Sequence, residues 1–153
     1  MISALDIAIY VIGKYWKVGQ PITNLKLQKI MYYIQGYSFR LLRGELYSEK
    51  IYRWPYGPVV PEVYFYFNEY RNNSLPEPSY DQFQDAIDAI KSDKIALEII
   101  DRIIEASYSL SAAQMVAKTH GEAPWREAKD GGIIGRGIIA DYFNFHDPLR
   151  VDI

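Results

Sequence analysis

The sequence predicts a mainly α fold, a single-domain helical bundle of about six to seven helices with a small β-hairpin near residues 46–54. Three observations predict it. Apolar residues return at spacings of three and four along most of the chain, the period of a helix with one buried face. Hydrophobic residues make up 49% of the 153 positions and charged residues 24%, a balance that lets a chain of this size fold around its own core. No repeat, low-complexity tract or long linker interrupts residues 1–153, so one domain is expected.

Element by element, Leu5, Ala8, Ile9, Ile12 and Trp16 mark a first helix, with Ser3 and Asp6 as caps and Gly19-Gln20-Pro21 as its end. Thr23 or Asn24 caps a second helix, whose apolar stripe Leu27, Ile30, Met31, Ile34, Tyr37 and Leu41 runs to Gly44. Beside that stripe Gln28, Tyr32, Gln35 and Phe39 follow each other at three and four residues, a half-polar face suited to contacts other than simple core packing. The period then changes, and Leu46-Tyr47 with Ile51 to Trp54 read as the strands of a small hairpin. Prolines 55, 58 and 61 lead into a third helix carrying Val60, Val63, Tyr64, Phe67 and Arg71. After a loop from Asn72 to Ser79, Phe83, Ala86, Ile87 and Ile90 form an amphipathic helix. Ser92 or Asp93 separates it from a helix with Ile95, Ile99, Ile100, Ile103 and Ile104. Ser111 and Gln114 have the spacing of a capping box and open a short helix to about Thr119. Glycines 131, 132, 135 and 137 read as a flexible turn before a closing apolar group, Ile138, Ile139, Tyr142 and Phe143.

The residues argue against chemistry. Cysteine is absent, which removes disulfides, thiolate metal sites and cysteine nucleophiles together and suits a reducing, cytoplasmic setting. The N-terminus lacks the charged and apolar regions of a leader, and no stretch nears the ~20 apolar residues of a membrane span. Neither of the two histidines, His120 and His146, stands at a metal-ligand spacing, so no metal and no cofactor are expected. The run from Gly131 to Gly137 lacks the Lys-Ser/Thr pair of a phosphate loop. Glu62 and Glu69 sit seven apart on one helix and read as solvated. The chain is expected not to be an enzyme; the alternative is an activity using His120 near Glu122.

Charge and aromatics point to binding. Lys14, Lys17, Lys26, Lys29, Arg40 and Arg43 fall between Ile7 and Gly44 with no acidic residue, so the remainder of a chain of net charge -2 carries -8. Such a stretch can steer nucleic acid or an acidic partner, or dock against the chain's own acidic part. Tyrosine is abundant, at 14 residues beside 3 tryptophans. Tyr10, Tyr32, Tyr37, Tyr47, Tyr64 and Tyr108 are expected in the core, whereas Tyr52, Trp54, Tyr56, Tyr64 and Tyr66 are hard to bury together and suggest an interface.

A more specific signal lies in two blocks, Ile22-Thr23-Asn24-Leu25-Lys26-Leu27-Gln28-Lys29-Ile30-Met31-Tyr32-Tyr33-Ile34-Gln35-Gly36 and Trp54-Pro55-Tyr56-Gly57-Pro58-Val59-Val60-Pro61-Glu62-Val63-Tyr64. Leu110-Ser111-Ala112, Thr119 to Ala128 and Ile138 to Phe143 continue the pattern, so that it spans about Leu5 to Phe143. This pattern resembles the Panacea domain, the SocA-like antitoxin family also described as phage-associated protein. The glycine-rich segment 131–137 is less typical of it. The resemblance implies a mainly helical fold and an antitoxin of a type II toxin-antitoxin system. Such a protein neutralises a cognate toxin by direct contact, needs no cofactor, and in the SocA branch acts as an adaptor that hands the toxin to an ATP-dependent protease.

Within the blocks Leu25, Leu27, Ile30 and Ile34 serve packing. Asn24, Lys26, Gln28, Lys29, Tyr32 and Gln35, with Trp54, Tyr56 and Gly57, are the candidate partner-binding residues. Their polar groups can grip a partner or tie down the Tyr56-Gly57-Pro58 turn, and the sequence leaves both open. The alternative function is a phage- or mobile-element-encoded regulator that binds nucleic acid through Lys14 to Arg43, although no recognition helix with base-reading residues is evident.

Overall fold

The computed structural model describes residues 1–151. Among these, helices α1 (Ala4–Lys17), α2 (Asn24–Leu42), α3 (Pro61–Tyr66), α4 (Tyr80–Lys91), α5 (Lys94–Ser107), α6 (Ala112–His120), α7 (Ala123–Arg126) and α8 (Arg136–Phe145) surround one two-stranded antiparallel sheet, β1 (Tyr52–Trp54) with β2 (Gly57–Val59). The mainly α class is therefore observed, and the helix beyond the expected number is the four-residue α7.

Local chemistry sets most helix starts. Ser3, Thr23, Asp93 and Ser111 each accept a backbone N–H of the first turn through their side chains, which satisfies one orphan donor per helix. Ser111 with Gln114 forms the expected capping box, and Ser79 with Gln82 forms a second one. The second helix ends one residue before Gly44, on Arg43 in the left-handed conformation at φ 58°.

Helix α2 is the hub, packing against α1, α3, α5, α6, α8 and β2. From Asn24 to Phe39 nearly every side chain is buried, Leu25 being partly exposed, so the half-polar face expected to stand apart from the core lies within it. Neighbours pack closely here. A Cβ at Gly36 would fall 2.2 Å from Phe143 Cε2, and the Phe143 ring meets Tyr32, Tyr33 and Tyr37 edge-on at 5.6, 6.2 and 5.2 Å. Helix α1 is rotated from the stripe read in sequence. Ala4, Ile7, Ala8, Val11, Ile12 and Tyr15 are buried, whereas Leu5, Ile9 and Trp16 are half-buried, because α1 is covered on two sides by α2 and α4.

The hairpin sits later than expected. Tyr52 pairs with Val59, Arg53 with Pro58 and Trp54 with Gly57, while Leu46 and Tyr47 form no strand. Instead Gln35 captures that segment, accepting from Leu46 N at 2.8 Å and donating to Tyr47 O at 2.7 Å. The glycine-rich segment is not a loose turn. Its backbone runs along the free edge of β1, with Gly131 N donating to Arg53 O, Arg53 N to Gly132 O and Ile134 N to Ile51 O at 2.8–3.0 Å. Arg53 fixes this edge further, stacking on Trp125 at 4.0 Å, pairing with Asp130 at 3.1 Å and donating to the carbonyls of Trp125, Arg126 and Ala128.

Candidate functional site

The N-terminal half of α2 carries side chains that reach sideways to the hairpin exit. Asn24 donates to Tyr64 O at 3.0 Å and accepts from Gln28 Nε2 at 2.9 Å, while Gln28 Oε1 accepts from Val60 N at 2.9 Å. One residue further, Lys29 donates to Pro58 O at 3.2 Å. These bonds satisfy backbone groups that the short sheet and α3 leave open. Gly57, at φ 119°, makes the approach feasible: a Cβ there would lie 2.4 Å from Lys29 Cε and 3.0 Å from Thr119 Oγ1.

Above this seam lies a cavity of about 510 Å³. Asn24, Gln28 and Lys29 form its floor and Trp54 and Tyr56 of the hairpin one wall. Tyr64 of α3, Asn68 of the 3-10 turn that follows it (Asn68–Tyr70) and Arg71 just after that turn form the other. Trp54, Tyr64 and Phe65 pack edge-to-face with centroids 5.0–5.8 Å apart. Tyr56 is 69% exposed, and Phe65, which packs on Trp54 and Tyr64 outside the cavity lining, is 58% exposed. The backbone of the Trp54 wall is pinned from behind, where Trp125 Nε1 donates to Trp54 O at 2.9 Å. Lys29 is fully buried, and burial pushes its ammonium down to about 7.

A second polar centre lies on the same helix, away from the groove. Glu122, at the start of α7, is buried between the hydroxyls of Tyr32 and Tyr33, which donate to its two oxygens at 3.0 and 2.8 Å. Burial raises its carboxyl to about 7 against the lowering effect of both hydroxyls and of Lys118 and His146. His120 is not its partner. That ring stacks on Trp125 at 4.1 Å and its Nε2 is buried without a hydrogen bond among the described residues, so the pairing an His120–Glu122 activity would need is not formed. No group of three or more metal-ligating side chains occurs among the described residues, and no helix is long and apolar enough to cross a membrane.

Of the nine candidate residues, Asn24, Gln28, Lys29, Trp54 and Tyr56 come together around the groove, with Gly57 packed against the stem of Lys29. Three lie elsewhere. The Lys26 ammonium rests 4.9 Å from the Tyr15 ring centroid, Tyr32 holds Glu122 and Gln35 holds residues 46 and 47. The aromatic group also divides: Tyr66 packs on Phe67 and Tyr52 bridges to Ile133. Sequence reasoning overlooked Phe65, Asn68 and the Glu122 centre. The run Val63 to Phe67 was the available signal for Phe65, since a six-residue helix cannot turn five consecutive apolar side chains inward.

The profile of the family described as Antitoxin SocA-like, Panacea domain, matches residues 27–126, a span that holds most of α2, the hairpin, both groove walls and Glu122. The chain is also similar to Antitoxin SocA of Caulobacter vibrioides (strain NA1000 / CB15N), at 29% identity over 158 aligned positions that cover 94% of this chain and 84% of that protein. No solved structure matches it.

Proposed function

We propose, from the premise that the chain belongs to the SocA-like antitoxin family with its Panacea domain, that it is the antitoxin of a type II toxin-antitoxin pair. It neutralises its cognate toxin by direct contact at the groove between the hairpin and α3. The observation that carries this reading is the exposed aromatic pair, Tyr56 at the groove and Phe65 packed on the Trp54 and Tyr64 rings beside it, on elements tied together by hydrogen bonds. Large stiff aromatics at the edge of a pre-formed pocket are the residues that supply most of the energy of protein interfaces. The protein brings no cofactor and performs no reaction of its own; it acts in the cytoplasm, where its toxin is made. Handing the bound toxin to an ATP-dependent protease is a consequence the same contact permits.

The basic stretch supports nucleic-acid binding less well. Lys26 and Lys29 are buried, Arg40 donates to the carbonyls of Phe143 and His146, Lys17 lies 4.7 Å from the Phe83 ring centroid and Lys14 lies 3.9 Å from Asp101. Most of that charge is spent inside the molecule.

The test is co-expression with the product of the adjacent gene. Restored growth together with a stable co-purified complex is expected. Continued toxicity beside abundant folded protein would overturn the reading. Repeating the experiment in a host lacking its ATP-dependent proteases separates direct blocking, which persists, from handover, which is lost.

A further inference from the structure

We propose that the toxin crosses the ridge of α3 and sets a lysine or arginine side chain into the cavity on the far side of that ridge, against Glu69 and Glu77. This rests on the reading of the hairpin groove as the toxin-binding surface and adds to it a second anchoring point of stated charge.

The two cavities share a wall. Tyr64, Asn68 and Arg71 line the hairpin groove, whereas Tyr66, Glu69 and Tyr70 of the same segment line a second cavity of about 310 Å³, bounded on its other sides by α1, the loop before α4 and the first turn of α4. Phe65 and Tyr66, both exposed, belong to the ridge between them. A polypeptide seated on Tyr56 and Phe65 therefore reaches the second cavity over continuous aromatic surface.

The chemistry of that cavity selects a cation. Glu69 of the 3-10 turn and Glu77 of the loop before α4, both exposed, line it together with Tyr66, Tyr70 and half-buried Ile9, and no lysine, arginine or histidine does. The imbalance is regional, since from Asn72 to Ile90 the chain has Glu77, Asp81, Asp85 and Asp88 and no basic residue. A lysine or arginine lays its aliphatic stem along apolar surface and brings its charged head to aromatic rings and carboxylates at once. The Tyr66 ring is braced by Phe67, edge-on at 4.8 Å, so it loses little freedom when it is covered.

The adjoining surface already holds cations in this manner. Glu77 and Pro78 also line a neighbouring cavity with Lys17, whose ammonium rests 4.7 Å from the Phe83 ring centroid, and the Lys14 ammonium lies 5.7 Å from that of Tyr10. The cavity at Glu69 offers aromatic and acidic residues of the same kind with no cation of the chain's own among its lining. Opposite charge at such a point steers encounter and fixes the register of the toxin on the aromatic groove.

The experiment titrates the co-expressed neighbouring-gene product, separated and repurified, into wild-type protein and the variants Glu69→Gln, Glu77→Gln, Glu77→Lys, Tyr66→Leu and Asp85→Asn, with thermal melts of each. All four positions are exposed, so every variant is expected to fold. The expected losses in affinity are about 5-fold for each amide substitution in the cavity, more than about 30-fold for Glu77→Lys and about threefold for Tyr66→Leu. Asp85→Asn, outside the cavity, should stay within about twofold, and wild-type affinity should fall as salt rises. Changing the lysines and arginines of the toxin to glutamate in turn should reveal one substitution that restores binding to Glu77→Lys. Wild-type binding with every Glu69 and Glu77 variant within twofold would overturn the cation site and leave the antitoxin reading standing. An Asp85→Asn loss equal to that of Glu77→Gln would do the same, by reducing the effect to diffuse attraction. Failure of the wild-type complex to form would remove the antitoxin reading and this site with it. A wild-type homodimer in sedimentation, dispersed by Glu77→Lys while toxin affinity is unchanged, would give the cavity to a second copy of the chain and also overturn the proposal.

Discussion

Lys29 and Glu122 are two buried ionisable groups attached to the same helix system, and the molecule treats them in opposite ways. Glu122 is closed off, with a tyrosine hydroxyl on each oxygen and the Phe143 ring packed on both tyrosines. Lys29 is as fully enclosed but makes a single side-chain hydrogen bond among the described residues, to Pro58 O. Burial moves both to about 7, one from below and one from above. The difference teaches how unequally this fold satisfies its buried charges: the carboxyl has both oxygens bonded and locks α7 to α2, whereas the amine, with one acceptor, ties only the β2 backbone to α2.

The sharpest way to break the comparison is to empty each centre. Glu122→Ala leaves two buried hydroxyls without an acceptor and a void between α2 and α7, and should cost about 4 kcal/mol in chemical denaturation. Lys29→Met, which removes a poorly satisfied amine and keeps its volume, should change stability by less than about 1 kcal/mol in either direction. Equal losses would show that Lys29 is as structural as Glu122. Next in size is Gly57→Ala, which forces a side chain against the Lys29 stem at a backbone angle that suits glycine; about 3 kcal/mol of lost stability is expected from the same measurement.

Acidity separates the centres by sign. An unfolded glutamate releases its proton near pH ~4.3, while native Glu122 holds it to about 7, so the native state binds the extra proton and stability falls as pH rises across that window. Unfolded lysine keeps its proton to about pH 10.4, while native Lys29 loses it at about 7, so stability rises from there upward. Denaturation midpoints measured from pH 5 to 9.5 should flatten on the acid side in Glu122→Gln and on the alkaline side in Lys29→Met.

How much of this was legible follows from distance along the chain. Ser111 was readable as a cap, and Ser3 and Thr23 as one of two candidates each, because each bonds three residues ahead, and the helices they open emerged in place; Asp93, read only as a break between helices, caps by the same bond. The hairpin was displaced because its position is settled by Gln35, which claims residues 46 and 47 for itself, a capture no periodicity displays. The polar face of α2 divides for the same reason. Gln28 meets Val60 and Tyr32 meets Glu122 across 32 and 90 residues, so that face looked suited to a partner although much of it binds the protein's own backbone and core. Trp54 and Tyr56 were found as surface aromatics because too many rings crowd one short segment to be hidden together.

The smallest expected change in stability belongs to the residue expected to matter most for binding. Tyr56→Ala should alter folding by less than about 0.5 kcal/mol, since its ring is mostly in solvent. The direct test is therefore the dissociation constant of the toxin complex measured on Tyr56→Ala and Glu122→Gln side by side. About 30-fold weaker binding is predicted for Tyr56→Ala, with wild-type affinity retained in the less stable Glu122→Gln. Undiminished binding by Tyr56→Ala, or a loss confined to Glu122→Gln, would contradict the account.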